Sequence, residues 1–421
     1  MPRDRRGKPT GRAAAVLASA AVLGTALLAG CGVGDTGEAG ARTVKWYVFN
    51  EPGGAFEDAI KRCNDEAKGA YTIDYVRLPT DADQQRELVA RRLAAEDSDI
   101  DIVGMDVIWT AEFAEAGWIK QWKGADAEKA REGVLEGPLR TAEYQDELWA
   151  APFTSNTQLL FYDKSKVDAP PETCDEMIDQ AAKLKKGIEV QAARYEGYTV
   201  WVNSLVNSAG GSLVDEEGNV KIGPETRKAA QIIKRVAEEA APAGMSNNKE
   251  DQARLGFESG RSAFEVNYTF VYPSAKEKGG EFFENFGVAR YPGVEEGKPS
   301  KVTLGGINLG IGAYSKHPDL AFRAAQCLKQ PANQVVAAEK GGLAPTDAGL
   351  YDEAEIKKAF PFSRLLRETL EDGVPRPVTP AYSDVSQAIQ RTFHPPEKIQ
   401  AESVIKKRED RLDKAADGKI F

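Results

Sequence analysis

Histidine is almost missing from this chain. Only His317 and His394 occur, each beside a proline at an expected helix start, and neither has a partner at metal-ligand spacing. No HExxH, no CxxC and no Gly-rich loop ending in Gly-Lys-Ser/Thr appears. The Gly pair within Ser208–Ser212 lacks the strand–loop–helix setting of a phosphate loop and reads as a helix C-cap. Asp81 and Asp83 lack the glycine and closing glutamate of a calcium loop. No metal and no cofactor is therefore expected, and no catalytic group stands out. Basic excess is missing too: 55 Lys and Arg face 65 Asp and Glu. Such a body argues against nucleic acid, whose phosphates need a basic face. Beyond Cys31 no apolar run approaches the roughly 20 residues that span a bilayer, and no repeat at a fixed period is visible.

What is present begins at the N-terminus. Arg3, Arg5, Arg6, Lys8 and Arg12 precede an uncharged apolar run from Ala13 to Gly30. This is the layout of a cleavable signal peptide rather than of a membrane span. Leu28-Ala29-Gly30-Cys31 resembles the lipobox of bacterial lipoproteins, which implies that residues 1–30 are removed and Cys31 is lipidated. An ordinary signal peptide with an incidental cysteine is the alternative. Gly32–Arg42 is Gly-rich and polar, a tether. Removal of the leader takes five basic residues and one acidic one, leaving 50 against 64, a net charge of −14. The mature protein is expected outside the cytoplasm, leashed to the outer face of the membrane through its lipid alone. Its length makes two domains the default.

If the lipid takes Cys31, then Cys63, Cys174 and Cys327 remain in a compartment that permits disulfides. Cys63 shares helical spacing with Phe56 and Ile60, and Cys327 with Leu320, Ala324 and Leu328. Cys174 opens a helix behind the capping box of Thr173 and Glu176. A Cys63–Cys327 bridge with Cys174 free is expected; three buried thiols are the alternative.

Thr43–Asn50 alternates apolar and polar residues and reads as a strand. A helix over 54–67, a strand over 71–79, a helix over 83–96 and a strand over 100–105 follow. Strands alternating with helices of this length imply βαβ units and a mostly parallel sheet. The pattern changes at 148–153, and a further strand is expected over 157–163. The second α/β body carries helices near 171–186, 199–209 and 224–241 and strands at 262–267 and 286–291. Val302–Ser315 is apolar and Gly-rich, suiting a chain that passes between bodies. Helices at 318–330, 333–340 and 384–393 and a last amphipathic helix with Ile399, Val404, Ile405 and Leu412 inward complete the reading.

The segments KWYVFNEP, LWAAPFTSNTQLLFYDKSKV, FESGRSAFEVN and GGINLGIGAYSKHPDLAFRAAQCL resemble the periplasmic-binding-protein fold. More narrowly they resemble the maltose-type, family 1 sugar-binding lipoproteins of ABC importers, over nearly all of the chain after Arg42. The resemblance implies two α/β lobes joined by a hinge of three crossings, with the ligand cleft between them. Residues 43–153 plus 303–345 would form one lobe, and 154–302 plus 346–421 the other. Crossings are expected near Pro152–Asn156, Thr303–Gly306 and Ala344–Asp347. The motif PPETCDEM carries Cys174 where the family usually has tryptophan, a change of packing.

A neutral sugar needs carboxylates, amides and a guanidinium for its hydroxyls, and an aromatic plate for a ring face. Hydrogen bonds to charged groups contribute about 1.5–3 kcal/mol, so a few set orientation. In an open α/β sheet they belong at carboxyl ends of strands. Asn50 and Glu51 end the first strand; Asp83 follows the second, as ligand contact or as helix N-cap; Asp106 ends the third. Asn156 lies beyond the first crossing, and Glu250 opens a helix. Tyr268 ends a strand and is the candidate plate, with core packing as its alternative. Gly306 would let backbone approach ligand, and Arg376 stands on a loop stiffened by Pro375 and Pro377. FNEP, TDADQQREL, DVIWTAEFA, EDQARLGFE and PRPVTPAYSDVS resemble the trehalose-binding subfamily, although Tyr268 stands where tryptophan is more usual. An α-linked disaccharide, first of all trehalose, is the expected ligand, with an ABC permease as partner and a monomeric body. Maltose or another oligosaccharide is the alternative within the fold; a glycosidase and a surface adhesion module are the rivals outside it.

Overall fold

The computed structural model describes residues 42–214 and 223–399. The leader, Cys31 with its tether up to residue 41, and most of the expected last amphipathic helix lie outside the described residues; Arg42, expected in the tether, opens the first strand. Among the described residues no helix is long and apolar enough to cross a membrane.

Strand Arg42–Phe49 is laid down by Val44, Trp46, Tyr47 and Val48, all buried. It pairs in parallel with Tyr71–Leu78 on one side and Ile102–Asp106 on the other. Helices Ala55–Ala67 and Ala82–Ala94 make the two crossovers. The first buries Phe56, Ala59, Cys63 and Ala67, three or four residues apart on one face, and Phe56 packs against Trp46 and Phe153. Cys63 on this helix is bonded to Cys327 on helix Pro318–Leu328, with Cα atoms 5.8 Å apart. Cys174 is free and buried, its thiol pushed up to about 12 by burial. The Thr173–Glu176 capping box forms at its helix start.

The sheet as a whole is not mostly parallel, which corrects the expectation. Thr303–Gly312 runs antiparallel both to Ile102–Asp106 and to Ala150–Asn156, and Ala344–Pro345 runs antiparallel to Ala150–Asn156. Strand Thr303–Gly312 enters the sheet from the far end of its neighbours. It can then pair directly with both neighbours and needs no crossover helix. The eight-stranded sheet is therefore mixed, and a second sheet of four strands runs Phe286–Ala289, Leu159–Asp163, Ser262–Asn267, Gly187–Glu189. Only the last pair of that order is parallel.

The three expected crossing segments lie side by side. Gly306 is opposite Ser155 on one edge, and Ala344 is opposite Ser155 on the other. One core gathers around Trp46, Phe56 and Phe153, and another around Ile178, Tyr198, Trp201 and Phe264. Smaller departures have local causes. The helix expected over 224–241 ends at Arg235 and continues as a π turn, Val236–Ala240, ahead of Pro242. His317 precedes a helix as expected, but His394 closes helix Tyr382–Phe393.

Candidate functional site

Strand Ile102–Asp106 ends with a carboxylate that starts the next turn. The Asp106 Oδ1 atom accepts the Ile108 N–H at 3.3 Å. The same oxygen accepts Nη2 of Arg376 at 2.8 Å, and Nη1 of Arg376 donates to Glu196 at 2.7 Å. Glu196 is the first residue of helix Glu196–Ser208, whose residues are all buried. It also accepts the hydroxyls of Tyr382 and Ser386, each at 2.5 Å. Arg376 is 4% exposed, and its Nε has no partner. Burial opposes the Arg376 charge, but Asp106, Tyr382 and Glu196 outweigh it and the shift is upward. Burial pushes Glu196 up to about 7, with Arg376 opposing and Asp106 adding to the rise.

Helix Ala82–Ala94 starts beside this group. Its N-cap is Asp81, which accepts the Gln84 N–H at 3.1 Å and pairs with Lys249. Asp83 is thus not the cap, because Asp81 already holds the free N–H of the first turn. Asp83 keeps an exposed face and turns its carboxyl toward the Glu196 backbone N–H; lost hydration and then Asp81 raise its pKa. Glu250 opens helix Glu250–Glu258 near the Tyr195 hydroxyl, and burial raises its pKa as well. Lys249 lies 4.8 Å from the Tyr195 ring centre. Tyr268 is raised first by burial and then by Glu250, Asp106 and Glu196, with Arg376 opposing.

Asp83, Asp106, Glu250, Tyr268 and Arg376 are therefore brought into one electrostatic cluster. Asp81, Tyr195, Glu196, Lys249 and Tyr382 belong to it and were missed from sequence. Asp81 and Lys249 sit within two residues of Asp83 and Glu250, and Tyr382 lies in the same PRPVTPAYSDVS run as Arg376. Two small crevices of about 10 Å³ each, room for a single water, adjoin the ion pairs. One is lined by Val107, Ile108, Thr141, Pro375, Arg376 and Val378, the other by Asp83, Arg86, Trp109, Glu196, Tyr382 and Ser386.

The other expected residues sit differently. Asn50 is exposed at the end of the first strand. Glu51 is buried, and its two oxygens accept the N–H groups of Gly53 and Ala55 at 2.6 Å each. Its carboxylate holds the turn into the first helix, because the free amides there are nearer than any solute. Gly306, at φ +137, faces the Thr154 carbonyl: an added Cβ would lie 2.2 Å from that oxygen. Its smallness admits the neighbouring strand rather than a ligand. Asn156 packs on Gly305, where an added Cβ would meet its Oδ1 at 2.1 Å.

Two main sheets, each with its own buried core, bring charged side chains together at strand and helix ends. The chain belongs to the bacterial extracellular solute-binding protein family, whose profile matches residues 48–335. It is 28% identical over 374 residues to a probable ABC transporter-binding protein of Deinococcus radiodurans, covering 83% of this chain and 87% of that one. Among solved structures, maltose-bound MalE3 of T. maritima superposes with a TM-score of 0.81 at 25% identity, over 88% of this chain and 99% of that one. The GacH receptor of Streptomyces glaucescens, determined unliganded and with acarbose, superposes at 0.78 with 20% identity, over 90% and 99%. The fold is the periplasmic-binding-protein fold.

Proposed function

We propose that this chain captures an α-linked disaccharide, trehalose first among them, outside the cell and hands it to the permease of an ABC importer. The observation that carries the reading is the Asp106–Arg376–Glu196 triad beside Asp83, Glu250 and Tyr268. Carboxylates and a guanidinium set at the ends of strands and helices match the many hydroxyls of a sugar, and Tyr268 offers a ring face. The maltose held by MalE3 supports a sugar ligand; the choice of trehalose rests on the motif resemblance. Asn156 and Asn50 belong to the proposed contact set as outer groups, and Glu51 and Gly306 as supports of the backbone around it. The lobes we assign are 43–153 with 303–345, and 154–302 with 346–421. Lipidated Cys31 would tether a monomeric body to the membrane.

Calorimetry against trehalose, maltose, longer maltodextrins and monosaccharides tests this. Trehalose bound most tightly and recovered unaltered is the expected result. Tighter binding of maltose would keep the fold reading and move the sugar. Glucose released from trehalose would mean a glycosidase, and no disaccharide bound would sink the reading.

A further inference from the structure

Two ion pairs join the proposed lobes, one beside the strand Thr303–Gly312, where Asp106 is opposite Ile307 and Pro375 opposite Leu304, and one at a separate helix start. Asp106 at the end of Ile102–Asp106 meets Arg376 at 2.8 Å, and Asp81 at the start of Ala82–Ala94 meets Lys249. Both acids come from one lobe and both cations from the other. We propose that Asp81 and Asp106 form an electrostatic latch that draws the lobes together on protein contacts, so that solute must compete with it.

The construction suits a contact that opens and recloses. Each acid has a second hydrogen bond within its own lobe, Asp106 to the Ile108 N–H and Asp81 to the Gln84 N–H. Arg376 likewise keeps Glu196, itself anchored by Tyr382 and Ser386. Opening therefore leaves no buried charge without a partner, the condition under which breaking an ion pair becomes most costly. The two pairs differ in setting. Arg376 and Asp106 side chains are 3% and 22% exposed, whereas Lys249 and Asp81 are 41% and 17% exposed. Salt screens the second pair more than the first. Closing rotates one lobe on another about few residues, so side-chain contacts made only between closed lobes suffice to bias it.

The inference rests on the lobe assignment above but not on the identity of the sugar. The experiment is small-angle X-ray scattering of the chain without added sugar, for the wild type and for Asp81→Asn/Asp106→Asn. Asparagine keeps the acceptor oxygen for Gln84 and Ile108 and removes the charge. At low salt the wild type should give the radius of gyration calculated from this structure. The radius should rise in about 1 M NaCl, where screening acts over about 3 Å, and the double variant should show the larger radius already at low salt. Equal radii for both proteins at both salt levels, whether compact or expanded, would overturn the latch. Should the variant not fold, the salt dependence of the wild type decides alone. A chain that binds no disaccharide would sink the sugar reading and leave this result untouched.

Discussion

Asp106 and Arg376 are 270 residues apart in sequence and 2.8 Å apart in the fold. The sequence suggested that both approach a sugar from opposite sides; the structure has them holding each other. The two roles are compatible, because a sugar hydroxyl can replace the guanidinium at Asp106 while Arg376 keeps Glu196.

This geometry separates two variants at the same contact. Asp106→Asn keeps the turn to Ile108 and should lower trehalose affinity by about 1.5–3 kcal/mol, with a small change in melting temperature. Arg376→Ala should cost affinity and also stability, because it strips the cation from buried Glu196; such losses run to about 3–5 kcal/mol. Affinity and melting temperature measured on both proteins decide. Equal melting temperatures for the two would mean that Glu196 does not depend on Arg376.

A pH dependence follows from a different carboxyl. Glu265, on strand Ser262–Asn267, is fully buried; one oxygen accepts Asn267 Nδ2 at 2.6 Å, and the other has no partner. Burial raises it from 4.5 to about 8, and Glu189 and Glu258 add to the rise. The folded chain thus holds the proton more tightly than the unfolded one. The stabilising contribution is full below about 4.5 and is lost as pH rises through about 8. Its size is on the order of a few kcal/mol. Melting temperature against pH should fall across this window for the wild type, and Glu265→Gln should flatten the curve. Parallel curves for the two proteins would assign the dependence elsewhere.

The disulfide spans 264 residues of sequence. It ties the first crossover helix to helix Pro318–Leu328, so it removes a large share of the freedom of the unfolded chain. Cys63→Ala/Cys327→Ala should lower stability by about 2–5 kcal/mol, seen as a shift of the urea midpoint. Trehalose affinity should hold, since neither cysteine reaches the ion-pair cluster. A loss of affinity at full folding would place the site closer to this helix pair than the structure does.

Much of this architecture is written in local pattern. Ser262–Asn267 shows the bounds expected of it, and the helix starts near 55, 82 and 318 are within two residues of their expected places. The direction of Thr303–Gly312 was not legible. It is buried along most of its length and lacks alternation, so periodicity says nothing of which end enters the sheet first. In the site, Asp106, Glu250, Tyr268 and Arg376 could be found because polar residues at strand and helix ends are out of place in a core. Glu196 could not, because an acid in a first helical turn is the ordinary complement to the helix dipole. Only the fold sets Arg376 against it. Glu51 misled for the converse reason: a carboxylate after a strand looks free until the amides of Gly53 and Ala55 are counted.

Adjacent glycines of strand Thr303–Gly312 should separate stability from binding. Gly306 has φ +137, and a Cβ there would lie 2.2 Å from the Thr154 carbonyl oxygen and 2.8 Å from the Ser155 Cα. Both neighbours are backbone of strand Ala150–Asn156, so neither can swing away, and the backbone angle is itself strained for alanine. Gly306→Ala should therefore cost at least about 1–3 kcal/mol of stability. At Gly305 the nearest atom is the Asn156 Oδ1, 2.1 Å from an added Cβ. A side chain can change rotamer, so Gly305→Ala should melt closer to the wild type while displacing Asn156. If Asn156 is an outer contact of the sugar, trehalose affinity should fall in Gly305→Ala at nearly unchanged melting temperature. Unchanged affinity in that variant would remove Asn156 from the proposed contact set. Equal stability losses in both would mean that Asn156 is held as firmly as the backbone beside it.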